Sequence, residues 1–142
     1  MLTAKKLASY KTVAVDTASP GRLILMLFDG ALRCMSAAEL GFKSECPRTR
    51  QETIHNNLIR TQEIIQELQR SLNMREGGEF AANMFRLYEF MNARLMEANL
   101  RKQPENIRVV SRLLGEIRDA WEQMLREQSS RIAQPAGLSF SA

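Results

Sequence analysis

Glu52 and His55 stand in the Glu-x-x-His spacing with which a bundle helix presents a carboxylate and an imidazole to a metal ion. A di-iron bundle needs two such pairs and two further glutamates, whereas His55 is the sole histidine in the chain. Glu52 also has a simpler task. Thr49-Arg50-Gln51-Glu52 has the form of a capping box, in which the Thr49 hydroxyl and the Glu52 carboxylate satisfy each other's backbone N–H groups. With one histidine, nucleophilic catalysis has only Cys34 or Cys46 to draw on, and neither has an activating local context. Gly77-Gly78 lacks the preceding strand and the following Lys-Ser/Thr of a phosphate-cradling loop. Asp29 is an isolated carboxylate in an apolar stretch, and its expected role is to pair with an arginine or a backbone end on a neighbouring element. These residues predict no catalytic group, no metal and no cofactor, hence no enzyme.

Composition narrows the class further. The chain has 142 residues, 44% hydrophobic and 25% charged, which suits one soluble domain. No apolar run approaches the roughly 18–20 residues of a membrane span, so no membrane insertion is expected. The basic start MLTAKKLASYK lacks a following apolar region and is not a secretory signal, so the expected location is cytoplasmic. Cys34 reads as a small buried hydrophobe and Cys46 as a loop residue ahead of Pro47, with no disulfide between them. A net charge of +4 raises nucleic acid as a partner. The charges are interleaved, however, as in Glu105, Arg108, Arg112, Glu116, Arg118 and Asp119, and only 6% of residues are aromatic. Interleaving describes a solvated face, so no nucleic-acid partner is expected.

Four segments carry helical periodicity and none reads as a strand. The first runs from Pro20 to about Lys43, with Ser19 as its cap and Pro20 at its first position. The second runs from about Arg50 to Leu72, striped by Ile54, Leu58, Ile65, Leu68 and Leu72, with Thr61 in the missing slot of a seven-residue repeat. The third spans about Glu79 to Arg101 and repeats Phe80, Met84, Tyr88, Met91, Leu95 and Ala98. The fourth begins at Pro104 and runs to about Gln128, through Ile107, Val110, Leu114, Ile117, Trp121 and Met124. Short connections force antiparallel neighbours, which predicts an all-α, up-down-up-down four-helix bundle over residues 19–128. An extended strap over 1–18 and a flexible tail over 129–142 complete the expected organisation.

The third helix exceeds what a bundle needs. Phe85, Leu87, Phe90, Met96 and Leu100 widen its apolar arc, and Ile59 and Ile64 do the same on the second. Either the bundle is deeply packed or part of this surface is left for a partner. Methionines on the apolar faces suit both readings, filling irregular cores or accommodating an imperfectly matched helix.

Several stretches together resemble the flagellin-specific export chaperone family, FliS. They are Tyr10 followed by Pro20 in TASPGRLILMLFDGA, NNLIRTQEIIQELQRSLN from Asn56 to Asn73, MFRLYEFMNARLMEANL from Met84 to Leu100, and EIRDAWEQM from Glu116 to Met124. The resemblance implies an antiparallel bundle that binds the disordered C-terminal segment of flagellin. Such a protein prevents premature polymerisation and presents the subunit to the gate of the flagellar type III export apparatus. It implies also that Leu7 and Tyr10, in the N-terminal strap, pack on the bundle and influence client access. Many relatives carry an aromatic residue where Leu7 stands and a glutamate where Arg22 stands, the latter completing a capping box with Ser19. Burying three strap side chains at about 1.5–3 kcal/mol each nearly cancels the ordering of the backbone between them at about 1–2 kcal/mol per residue, which suits a displaceable cover. Client contact is expected at Ile54, Leu58, Ile65, Leu68, Met84, Tyr88 and Met91. The competing expectation is a self-associating scaffold whose surplus apolar surface is buried in a homodimer.

Overall fold

The computed structural model describes residues 19–141, with side chains as far as Arg131. Four helices follow one another: α1 (Pro20–Gly41), α2 (Pro47–Arg70), α3 (Gly78–Arg101) and α4 (Glu105–Ser141). No strand occurs among the described residues.

Helix α1 starts where the sequence says it should. Ser19 is extended, and its Oγ accepts from the Arg22 backbone N–H at 3.2 Å, while Pro20 supplies the pre-set φ of the first turn. Helix α2 starts earlier than expected. Pro47 takes the first helical turn behind Cys46, so Thr49 already lies inside the helix and the capping box does not form. Glu52 instead accepts from Arg48 Nε at 3.1 Å, one turn back along the same helix. Helix α4 departs from expectation at its other end, because the backbone stays helical to Ser141 rather than ending near Gln128. Residues 129–134 contain neither proline nor glycine, so propagation meets no break there, and Pro135 forfeits a single donor.

Cross-helix pairs define the packing. On α1 and α4, Trp121 Nε1 donates to Gly21 O at 2.9 Å, Arg118 Nε to Asp29 Oδ1 at 2.7 Å and Ser111 Oγ to Met35 Sδ at 3.6 Å, with Arg108 beside Glu39 at 3.6 Å. As numbers rise on one helix they fall on the other, so the pair is antiparallel. The same holds for α2 and α3. The helices close a ring in which α1 packs on α2 and α4, and α3 packs on the same two from the opposite corner. The bundle is therefore up-down-up-down.

Its core fills from all four helices with Phe28 and Met35, Ile54, Leu58, Ile65 and Leu68, Met91 and Leu95, and Ile107, Val110 and Leu114. Thr61 occupies the polar slot of the α2 stripe fully buried, and its hydroxyl donates to Asn57 O at 2.8 Å, so no donor is stranded. Close approach is enforced at Gly41, where a Cβ would lie 2.9 Å from Thr53 Cγ2 on α2.

Candidate client-binding surface

Helix α3 has three apolar faces. Tyr88, Met91, Leu95 and Ala98 point into the core. A second face adjoins α2, as its polar ties show. Gln62 Nε2 donates to Asn92 O at 3.3 Å, Gln69 Nε2 donates to Phe85 O at 3.2 Å and to Glu89 Oε1 at 3.1 Å, and Asn99 Nδ2 lies 3.0 Å from His55 Nδ1. Stepping up seven residues on α2, from His55 to Gln62 to Gln69, steps down seven on α3, from Asn99 to Asn92 to Phe85. These rungs form a ladder along the outer edge of the seam, and beside it Phe85, Met96 and Leu100 are exposed, the last two by 56% and 80%.

The third face adjoins α4. Residues Ser111 and Arg118 of α4 reach toward α1, which leaves Val109, Leu113, Ile117 and Met124 on the edge nearer α3. Opposite them stand Leu87 and Phe90, one turn apart on the side of α3 away from the ladder. Leu87, Leu113 and Ile117 are half-buried against the core, whereas Phe90, Val109 and Met124 are exposed. The Arg94 guanidinium sits 5.0 Å over the Phe90 ring, covering it with a movable charged side chain. Phe80, at the start of α3, is 68% exposed.

The residues singled out from the sequence divide unevenly over this surface. Ile54, Leu58, Ile65, Leu68, Tyr88 and Met91 are buried in the core, and Met84 alone is half-buried at its margin. Leu7 and Tyr10 lie outside the described residues. The accessible apolar side chains are those that widen the α3 arc, Phe85, Phe90, Met96 and Leu100, together with Phe80. The first four show in the sequence as apolar residues off the main stripe, whereas Phe80 stands on the stripe but, at the start of the helix, is left unburied.

Charged and titratable groups around these seams are structural. Arg118 is held by Asp29, Asp119 and Glu122, which raise its pKa. Burial pushes the Tyr88 hydroxyl up to about 12 and raises the Cys34 thiol against the opposing charge of Arg60. Cys46 is lowered by the side chain and backbone of Thr49 at the start of α2. His55 and Glu52, despite their spacing, turn to different partners, Asn99 and Arg48. Among the described residues no group of three or more His, Cys, Asp or Glu side chains converges on a metal position, and no helix is long and apolar enough to cross a membrane. What remains is apolar surface along both flanks of one helix, suited to holding another helix.

Comparison with known proteins gives this surface a context. Residues 3–128 match the profile of the family described as flagellar protein FliS. Three curated relatives carry the name flagellar secretion chaperone FliS. That of Salmonella typhimurium is 36% identical over 129 residues, covering 87% of this chain and 93% of the relative. The Bacillus subtilis protein is 33% identical over 120 residues, covering 84% and 86%. The Vibrio cholerae protein is 29% identical over 136 residues, covering 93% and 97%.

Proposed function

The chain belongs to the flagellar protein FliS family, a family of chaperones and not of enzymes, and from that premise we propose that it is a cytoplasmic chaperone for flagellin. It holds the disordered C-terminal segment of the newly made subunit, prevents premature polymerisation and delivers it to the gate of the flagellar type III export apparatus.

The observation that carries this reading is α3, apolar on its core face and on both flanks, with Phe80, Met96 and Leu100 largely open to solvent. A disordered segment that becomes helical against such flanks recovers its ordering entropy by burying apolar area, at about 25 cal/mol per Å². First contact falls on Met84 and the exposed side chains around it. The buried residues Ile54, Leu58, Ile65, Leu68, Tyr88 and Met91 join the contact only as the bundle yields. Leu7 and Tyr10 are assigned to a strap that competes for the same surface. Leu7 and Tyr10 stand twelve and nine residues before Ser19, lengths of chain that can span at most about 43 Å and about 32 Å.

Titration of the protein with a peptide from the flagellin C-terminus tests the function. Saturable binding at micromolar concentration or tighter is expected, and no binding at about 50 µM by the folded protein would sink the reading. Size measurement with and without peptide separates the other class. A concentration-independent dimer indifferent to the peptide would assign the apolar surface to self-association.

A further inference from the structure

The polar ties of α3 are one-sided. Each side-chain hydrogen bond that α3 makes to another helix runs to α2, along the ladder of His55–Asn99, Gln62–Asn92 and Gln69–Phe85. Against α4, α3 has neither a side-chain hydrogen bond nor an ion pair among the described residues. The contrast with α1 is marked, since α1 is tied to α4 at Gly21, Asp29, Met35 and Glu39 along much of its length.

The ends of α3 have a shared property. Gly78 at its start has φ +56° and Lys102 at its end has φ +52°, so the chain reverses through a left-handed residue at each terminus. The rungs themselves suit rotation. Two are glutamine amides on flexible stems bonded to backbone carbonyls, and they lie in a line parallel to the helix axes. One group on this edge is unsatisfied while α3 is seated, because Asn92 Oδ1 is buried without a partner. A buried acceptor without a donor is a cost that exposure to water removes.

We infer that α3 is a hinged leaf that turns about the amide ladder on α2, parts from α4 and admits the client's helix between α3 and α4. The opened cleft is lined by Tyr88, Met91 and Leu95, with Ile65 and Leu68 of α2 at its floor. Parting α3 from α4 breaks apolar contact alone, and the apolar face of an incoming helix restores it in kind. Parting α3 from α2 would break the ladder. The inference rests on the flagellin reading for the identity of the client, but not for the motion.

Two tethers decide it, each made in the full chain carrying Cys46→Ser, with the buried Cys34 retained. Asn83→Cys with Ala120→Cys places thiols on the exposed rims of α3 and α4, and Gln66→Cys with Ala93→Cys places them across the ladder. Each pair is joined by a flexible bismaleimide and compared with its unjoined form, using a flagellin C-terminal peptide as probe. The α3–α4 tether is expected to weaken binding by about tenfold or more, and the α2–α3 tether to leave it within about twofold. Undiminished binding by the α3–α4-tethered chain overturns the hinge. Hydrogen exchange on the unmodified chain gives an independent reading should a variant misfold or the peptide fail to bind at all. Backbone amides of α3 are expected to exchange faster than those of the core faces of α1 and α2, and equal protection overturns the hinge. Absent peptide binding by the unjoined chains counts against the flagellin reading alone.

Discussion

Arg118 on α4 donates from Nε to Asp29 Oδ1 on α1 at 2.7 Å, and the same guanidinium reaches Asp119 at 3.2 Å and Glu122 at 3.0 Å. One cation thus joins two helices and braces its own. Both partners of the interhelical bond retain partial exposure, so screening tempers its strength. Asp29→Asn should lower stability by about 1 kcal/mol, measured as a urea midpoint shift with an unchanged m-value. No shift would mean that Asp119 and Glu122 carry Arg118 alone.

Two helical glycines should respond oppositely to alanine. At Gly41 the new methyl meets Thr53 Cγ2 at 2.9 Å and Ile54 Cγ1 at 3.3 Å, where α1 and α2 cross. Gly41→Ala is expected to cost about 1–3 kcal/mol. Nothing lies within 4 Å of a Cβ on Gly115, so Gly115→Ala should gain about 0.5–1 kcal/mol from helix propensity. Thermal midpoints moving in the same direction would contradict the packing described.

Tyr88 makes alkaline stability a readout of the α3 seat. Its hydroxyl is raised from 10.0 to about 12 by burial, so the folded state disfavours the phenolate. Its contribution is therefore fully present below pH 10, the unfolded value, and is lost as pH rises from there through about 12. Stability should fall by up to about 1.4 kcal/mol per pH unit in that window. Tyrosinate absorbance of the Tyr10→Phe variant checks this, since Tyr88 is then the sole tyrosine and should titrate toward about 12. Titration of Tyr88 at the ordinary value would place it in water.

Surface and core substitutions on α3 should separate affinity from stability. Phe80→Ser and Phe90→Ser remove exposed apolar side chains, and unfolding midpoints should hold within about 1 kcal/mol while peptide affinity drops severalfold. Met91→Ala, at a fully buried position, should cost about 2–5 kcal/mol. Unaltered affinity in both surface variants would move the docking surface elsewhere.

The strap assignment has its own trial in Tyr10→Ala. A residue that only covers the surface competes with the client, so peptide affinity should hold or rise on its removal. A large loss would make Tyr10 a client contact or a support of the bundle.

Helix number, order and direction were legible because the Ile54–Leu68 and Met84–Ala98 stripes repeat at seven residues and the connections between them are short. Ser19 and Pro20 marked the start of α1, and Asp29 found the arginine its setting called for. Other features depend on competition between alternatives that a pattern does not rank. Pro47 and Thr49 both offered a beginning for α2, and the earlier won because proline needs no N–H partner in the first turn. At the candidate site the difficulty was similar. The residues most visible by periodicity are those that the bundle itself consumes, so a partner-facing side chain shows only as an apolar residue off the stripe. Phe85, Met96 and Leu100 were of that kind, and their exposure needed coordinates to establish.

The spacing of the amide ladder limits what it can specify. Slide α3 along α2 by one heptad and His55 meets Asn92 while Gln62 meets Phe85 O, so two rungs would mate again. The ladder thus chooses which edges of the two helices meet, but is nearly indifferent to how far along they sit. That choice falls to the uneven interior, where small Ala81 and Ala98 flank bulky Tyr88, Met91 and Leu95, and to the 71–77 turn. Rotational phase and axial position are written in different residues, so a chain that loses its core bulk can keep its amide pairs and still assemble out of step.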